Sequence, residues 1–324
     1  MLQSILGYLN SYKAAFSKPI SARFDVVLLG GAMGSLFSLL QAIASPVIGG
    51  LSDKYGRRTA LLCSMMGNIL SVAIWVVAYD FPTFIASRVV GGLSEGNVQL
   101  AIAIASDVST PQTRGSTLAL VGIAFSVAFT FGPMIGAYLS QKTFTTANPF
   151  AAAASFSLTL LLVETVFLYF KLPETRPVES GKKQAAKAST KGLGLLSLVH
   201  FMFLFIFSGM EFSLPFMTFD LFNYSSKDNG KLLGYIGLLA AMLQGSFTRR
   251  APPLIVVKAG LISAAISFFA LAQIDSQKGL YFAATFLAVT SANVVTGLTA
   301  MTSMLGGEKE RGRMLGGFRS AGME

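Results

Sequence analysis

Charge is scarce in this chain. Only 12% of its 324 residues are charged and 53% are hydrophobic, against roughly 25% charged in an ordinary soluble domain. One large soluble core does not fit, because the apolar runs recur near the roughly 20 residues that a hydrocarbon core requires. Cysteine is almost missing too. Cys63 stands alone, which excludes an intrachain disulfide and a cysteine metal cluster. The single histidine, His200, cannot make a histidine-rich site. The Gly-rich Lys-Ser/Thr loop that cradles nucleotide phosphates is absent, so ATP-driven pumping is not expected. Neither a catalytic triad nor a metal set is visible, and no enzyme activity, metal or cofactor is expected. The opening MLQSILGYLNSYKAAF lacks the basic start and small-residue cleavage site of a secretory signal peptide.

Apolar runs fill the space that charge leaves. About nine spans of roughly 20 residues are expected, at 26–50, 59–79, 83–106, 116–139, 149–171, 195–219, 231–248, 253–273 and 280–305. Backbone groups in lipid must bond internally, so the spans are read as helices. The strict alternation of a membrane barrel is missing. The class is therefore an all-α multi-pass membrane protein of the plasma membrane or an endomembrane, with lipid around it. The net charge of +10 falls in loops between apolar runs, not on an amphipathic face, so no nucleic-acid partner is expected. No obligatory protein partner is evident.

Placed alternately, the loops differ in charge. One side takes Lys54, Arg57, Arg58, Arg114, Lys171, Arg176, Lys182, Lys183, Lys187, Lys191, Arg249, Arg250, Lys309, Arg311, Arg313 and Arg319, and the other only scattered lysines and Arg23. The basic side is read as cytoplasmic. The chain then divides into a non-cytoplasmic segment 1–25, a first bundle of five spans at 26–171, and a Pro/Gly/Ser/Lys-rich cytoplasmic linker at 172–194. A second bundle of four spans follows at 195–305, and a cytoplasmic tail at 306–324.

Within this apolar background lies one dense polar knot, GGLSDKYGRRTAL, from Gly49 to Leu61. Two further stretches stand out. IASRVVGGLSEG holds Arg88 and Glu95, and AFTFGPMIGAYL holds Gly132, Pro133 and Gly136. The knot resembles the signature loop of the major facilitator superfamily, and the other two resemble that family's fourth-helix motif and the fifth-helix motif of its exporters. The wording of residues 26–140 is similar to the tetracycline-transporter-like, organic-anion branch of eukaryotes. The resemblance implies a fold of two helical bundles and a cytoplasmic gate of Gly49, Asp53, Gly56, Arg57, Arg58 and Asp107. In it Asp53 faces the start of the family's eleventh helix and Arg57 pairs with Asp107. On the residues alone, Asp53 is placed to cap the helix that follows it, and glycines at 49 and 50 let two helices approach. Pro133 bends its helix, with the flanking glycines packing on a neighbour.

Against the family's twelve helices the chain reads as helices two to ten, followed by the start of an eleventh. The expectation is a fragment or truncated isoform whose cavity lacks walls and whose gate lacks its partner.

Charges at membrane depth are costly and mark cavities or partners. Arg88 and Glu95 are two helical turns apart, roughly 10 Å along one face. Two readings stand: a proton- or anion-sensing pair lining a cavity, or a structural pair at a helix interface. Glu211 is the acidic candidate of the second half, and His200 reads as a packing residue. The function expected is secondary active transport, with proton-coupled export of a small organic molecule or organic anion by alternating access. The alternatives are a non-transporting membrane receptor or scaffold on the same fold, or an inactive truncated isoform.

Overall fold

The structure, a computed structural model, describes residues 25–110, 112–139, 148, 150–175, 190–305 and 311–320. Residues 1–24 of the expected N-terminal segment, and most of the expected linker, lie outside them. The described residues are almost entirely helical. In order they form α1 (Asp25–Tyr55), α2 (Arg57–Val76), α3 (Phe81–Ser94), α4 (Asn97–Asp107), α5 (Arg114–Leu139), α6 (Ala151–Lys171), α7 (Thr190–Phe222), α8 (Ser226–Leu243), α9 (Pro253–Ala272), α10 (Gln277–Leu305) and α11 (Arg311–Ser320). A single turn of π-helix, Gln244–Thr248, extends α8.

Seven of these helices are long and apolar enough to cross a membrane: Gly30–Tyr55, Arg57–Val76, Arg114–Gly136, Ala151–Lys171, Gly192–Phe222, Pro253–Ala272 and Gln277–Leu305. Two of the expected spans are not among them, each for a local reason. The span expected at 83–106 breaks at Glu95, which takes extended angles (φ −74°, ψ 95°). Ser64 fills the break, donating to the Ser94 carbonyl and accepting the Gly96 amide at 2.9 Å. The Ser94 carbonyl and the Gly96 amide, one on each side of the break, are therefore both paired. The two pieces still run the full length of α2, from Trp75 beside Phe84 at one end to Arg57 against Asp107 at the other. The span expected at 231–248 begins earlier and carries Lys227, Asp228 and Lys231 in its first turns.

Polar residues fix the helix starts. Asp80 accepts the Thr83 amide at 2.9 Å at the head of α3, and that bonding holds its carboxyl below the usual range. Ser225 and Asp228 form a reciprocal capping box at the head of α8.

Buried apolar residues are unevenly shared. In the second half, Leu214, Leu232, Ile236, Leu280 and Leu287 join small residues of α10 in one large cluster. In the first half, Leu61, Met65 and Leu100 form a smaller one. Met314 and Leu315 of α11 pack on Ala103 of α4. Residues 311–320, expected as a tail leading to a further helix, are thus already helical and wedged against the first half.

Candidate functional site

The polar knot forms at the junction of α1 and α2. Gly56 separates them with φ +101°, a left-handed angle that side chains avoid. The turn lets α2 start beside the end of α1. Asp53 does not cap α2. It lies in the last helical turn of α1 and points sideways, across to α11. Its two oxygens accept the backbone amides of Gly312 at 2.9 Å and Arg313 at 2.7 Å. The acid therefore sits on the N-terminus of α11, where exposed amides and the helix dipole favour a negative charge. The capping role expected of Asp53 falls to Glu174, which follows α6. Its carboxylate accepts the amides of Arg57 at 2.8 Å and Arg58 at 3.2 Å.

Arg57 organises the rest. It is 1% exposed, yet its charge is matched on two sides. Nη1 lies 2.6 Å from Asp53 Oδ1, and Nε donates to Asp107 Oδ2 at 2.8 Å. Nη1 also donates to Ser52 Oγ at 2.6 Å, and Ser52 in turn donates to the Gly49 carbonyl at 2.7 Å. Asp107, its side chain fully buried, holds a second cation: Arg311 Nη1 lies 2.5 Å from Asp107 Oδ1. Two carboxylates and two guanidiniums thus share one buried knot, with charges balanced, as burial demands. Asp53, Arg57 and Asp107 come from the first half and Arg311 from α11. The gate, expected to lack its partner, finds that partner in α11.

Close packing brings these charges together. A Cβ on Gly49 would overlap the Gly312 carbonyl, and one on Gly312 would overlap Gly49, Ser52 and Arg57. One turn further in, the backbone of Ser45 meets Gly316. Beyond it, Ser320 donates to the Ala42 carbonyl at 2.7 Å. The seam between α1 and α11 is therefore lined with small residues. Gly50, by contrast, meets no described atom within 4 Å.

A second seam joins the halves between α5 and α8. Ser126 donates to Gln244 at 2.9 Å, and Gln244 donates to the Ala292 carbonyl at 3.3 Å. At the basic end Arg114 reaches from the head of α5 to the Ser303 carbonyl of α10 at 3.1 Å.

Other expected site residues fall elsewhere. Arg58 leaves the gate: its Nη2 donates to the Tyr169 carbonyl at 2.5 Å, and its head lies 5.3 Å from that ring. Arg88 and Glu95 do not pair, because the helix breaks at Glu95. Arg88 is enclosed by aromatic faces, 4.9 Å from Trp75, 5.5 Å from Phe84 and 5.9 Å from Phe37. Glu95 instead accepts from Asn68 at 3.0 Å and feels the charge of Arg319 on α11. Glu211 sits exposed on α7, apart from both. Gly132 and Gly136 meet no described atom within 4 Å, so the neighbour expected against them is not there among the described residues. The side chain of Pro133 lies outside those residues. Sequence reasoning missed Ser52, whose partners Gly49 and Arg57 are close in the chain, and Asn68, Glu174, Arg311 and Arg319, whose partners are distant in it. The one available signal was Glu174, an acid inside the otherwise basic KLPETR stretch.

Known proteins resemble this chain in sequence and in fold. The profile of the Major Facilitator Superfamily matches residues 3–323. Major facilitator superfamily domain-containing protein 10 of mouse is 34% identical, over 96% of this chain and 73% of its own length. The class C tetracycline resistance protein of Escherichia coli is 26% identical, over 79% of this chain and 65% of its own. Among solved structures, the human organic anion transporter MFSD10 (TETRAN) superimposes with a TM-score of 0.88 at 32% identity, covering 99% of this chain and 81% of that one. The proton:xylose symporter XylE gives a TM-score of 0.78 at 14% identity, over 99% and 82%, which speaks for the fold alone. With the signature loop, the cross-seam gate and these likenesses together, the chain belongs to the major facilitator superfamily, a family of membrane transporters.

Proposed function

We propose that this protein is a secondary active transporter that exports a small organic anion in exchange for protons, by alternating access. The observation that carries this reading is the α1–α11 seam. Charges from the first half hold the first turn of a helix in the second. They must separate for the basic end to open. A buried knot of this kind gives a closed and an open state rather than a continuum. With the basic end on the cytoplasmic side, the state described here is closed to the cytoplasm.

The resemblance to the human organic anion transporter supports an anion as cargo. Kinship with a tetracycline resistance protein supports outward movement. Glu95 is the carboxylate assigned to proton coupling: it stands at a helix break, inside the bundle, attracted by a cation on the other half. An ionisable group at membrane depth is a functional candidate by default. The proton gradient supplies the energy, and no cofactor is required.

The test is transport in reconstituted vesicles. Glu95→Gln is expected to abolish stimulation by a proton gradient while leaving exchange of substrate for substrate. If that variant follows the gradient as the parent does, Glu95 is structural and Glu211 is the next carboxylate to examine. Orientation is checked separately: tags at 172–193 should be reached only from the cytoplasm and tags at 223–230 only from outside. The reverse labelling would overturn the orientation.

A further inference from the structure

The turn between α7 and α8 reads FNYSSKD, from Phe222 to Asp228, and Asn223, Tyr224 and Ser225 form an Asn-x-Ser triplet within it. Such triplets accept N-linked sugar when they stand in surface loops on the non-cytoplasmic side. Of this chain's asparagines, Asn223 alone is followed two positions later by serine or threonine. Chance produces such triplets easily, so the setting of this one decides.

Both helices lift the turn clear of the hydrocarbon. α7 has 33 residues, about 50 Å at 1.5 Å each, against a hydrocarbon core of about 30 Å. α8 opens with SKDNGK before its first apolar residues. At the junction Asn223 takes φ +53°, the left-handed angle of a residue that ends a helix. Its backbone N–H donates to the Phe219 carbonyl at 2.9 Å, and that of Tyr224 to the Thr218 carbonyl at 3.3 Å. The cap therefore uses only the backbone of Asn223. The residue is exposed, and its side-chain amide bonds no described residue. Beside it lies a cavity of about 300 Å³, partly open to solvent, whose walls include Asn223, Tyr224 and Tyr281, with Lys231 and Gln277. Tyr235 braces Tyr281 edge-on, 5.3 Å between centroids. The volume is at the low end for small-molecule sites. Aromatic walls with an amide and an ammonium suit one sugar ring bearing an acetamide.

We propose that Asn223 carries an N-linked glycan and that its first N-acetylglucosamine rests in this cavity. Asn223 Nδ2 forms the bond to C1 of the sugar and gives up one proton. The bond from C1 to the pyrophosphate of a lipid-linked oligosaccharide breaks, and the lipid pyrophosphate leaves. Transfer precedes folding of the turn. In the folded turn the Ser225 hydroxyl, which the transferase must read, is already spent on Asp228 at 2.6 Å in the capping box. The proposal goes beyond transport and rests only on the orientation that puts residues 223–230 outside.

The full chain, made in eukaryotic cells whose glycans stay high-mannose, should run as a slower gel band that peptide-N-glycosidase F collapses. S225T should keep that band, since threonine preserves both the triplet and the cap. N223G should lose it with the fold intact, because glycine accepts the left-handed angle. A shift that persists in N223G puts the sugar elsewhere and overturns the proposal. So does a parent band that the enzyme leaves unmoved while a membrane-impermeant amine reagent labels the exposed Lys227 and Lys231 from outside. Labelling only after permeabilisation overturns the orientation, and the proposal with it. Seating of the sugar is read by nitration of Tyr224 and Tyr281, located by peptide mass. Endoglycosidase H leaves the first sugar in place, and both tyrosines should stay protected. Peptide-N-glycosidase F removes that sugar, and nitration of both should rise severalfold. Equal nitration after the two enzymes overturns the seating.

Discussion

The two seams that join the halves are built from different chemistry. Between α1 and α11, backbone meets backbone at Gly49 and Gly312, and four charges sit over the contact. Between α5 and α8, the links are neutral: Ser126 to Gln244, and Gln244 on to the Ala292 carbonyl. The π-helical turn at Gln244–Thr248 belongs to this second seam, and such turns recur at functional positions. The difference is one of cooperativity. A neutral hydrogen bond contributes about 1 kcal/mol net and can exchange with water singly. The charged knot cannot part by degrees. Removing one partner of a fully buried pair strands the other at about 3–5 kcal/mol, so its members separate together or not at all. The α1–α11 seam is the switch, and the α5–α8 seam is the softer contact beside it.

The largest effect should come from blocking closure of the switch. In Gly312→Leu the new side chain would occupy the space of the Gly49 carbonyl and the Arg57 guanidinium. Overpacking of this kind costs about 2 kcal/mol, so transport should fall roughly 30-fold at equal surface expression. Cysteines at 42 and 320, where Ser320 bonds the Ala42 carbonyl, report the closed seam when Cys63 is replaced by serine. Their cross-link should form readily in the parent and be lost in Gly312→Leu. A preserved cross-link would mean that the seam closes by another packing.

Next comes the charge itself. Asp53→Asn keeps the shape but removes the anion from the head of α11 and one of the two carboxylates that meet Arg57. Asp53 is 11% exposed, so the loss should stay below that of a fully buried pair, at about tenfold in transport. The protein should remain folded, with slower 42–320 cross-linking. Normal transport and cross-linking would show that packing alone holds the seam.

On the softer seam, Gln244→Leu removes two neutral hydrogen bonds and leaves Ser126 without its acceptor. About 1 kcal/mol corresponds to a change of roughly fivefold. The 42–320 cross-link should be unchanged. A loss as large as that in Asp53→Asn would erase the distinction between the seams.

The sequence disclosed the helices well because hydropathy is a local property. Long apolar runs between basic loops left little choice of fold. The break at Glu95 was hidden, because GGLSEGN inside an apolar run reads as a permissive stretch of helix. The hydroxyl of Ser64, thirty residues away, bonds the backbone on both sides of the break. The gate was half legible for the same reason. Asp53 and Arg57 lie four residues apart on one helical face, a relation that spacing exposes. Arg311 enters more than two hundred positions later, and nothing local announces that α11 returns to α1.

Arg58 gives the smallest effect and the sharpest contrast between motif and geometry. It stands next to Arg57 in the signature loop, and by position alone both cations belong to the gate. Successive helical residues point about 100° apart, so only one of them can face the α1–α11 seam. Arg57 does, and Arg58 turns to the end of α6, where it meets the Tyr169 carbonyl and ring. Its contacts are exposed and lie within the first half, where hydrogen bonds and cation–π contacts contribute about 0.5–1 kcal/mol. That energy does not change when the halves separate. Arg58→Ala should therefore lower thermal stability slightly, with transport within about twofold of the parent and an unchanged 42–320 cross-link. A loss of transport comparable to that in Asp53→Asn would place Arg58 in the open state of the gate, reaching a partner that the closed state does not offer it.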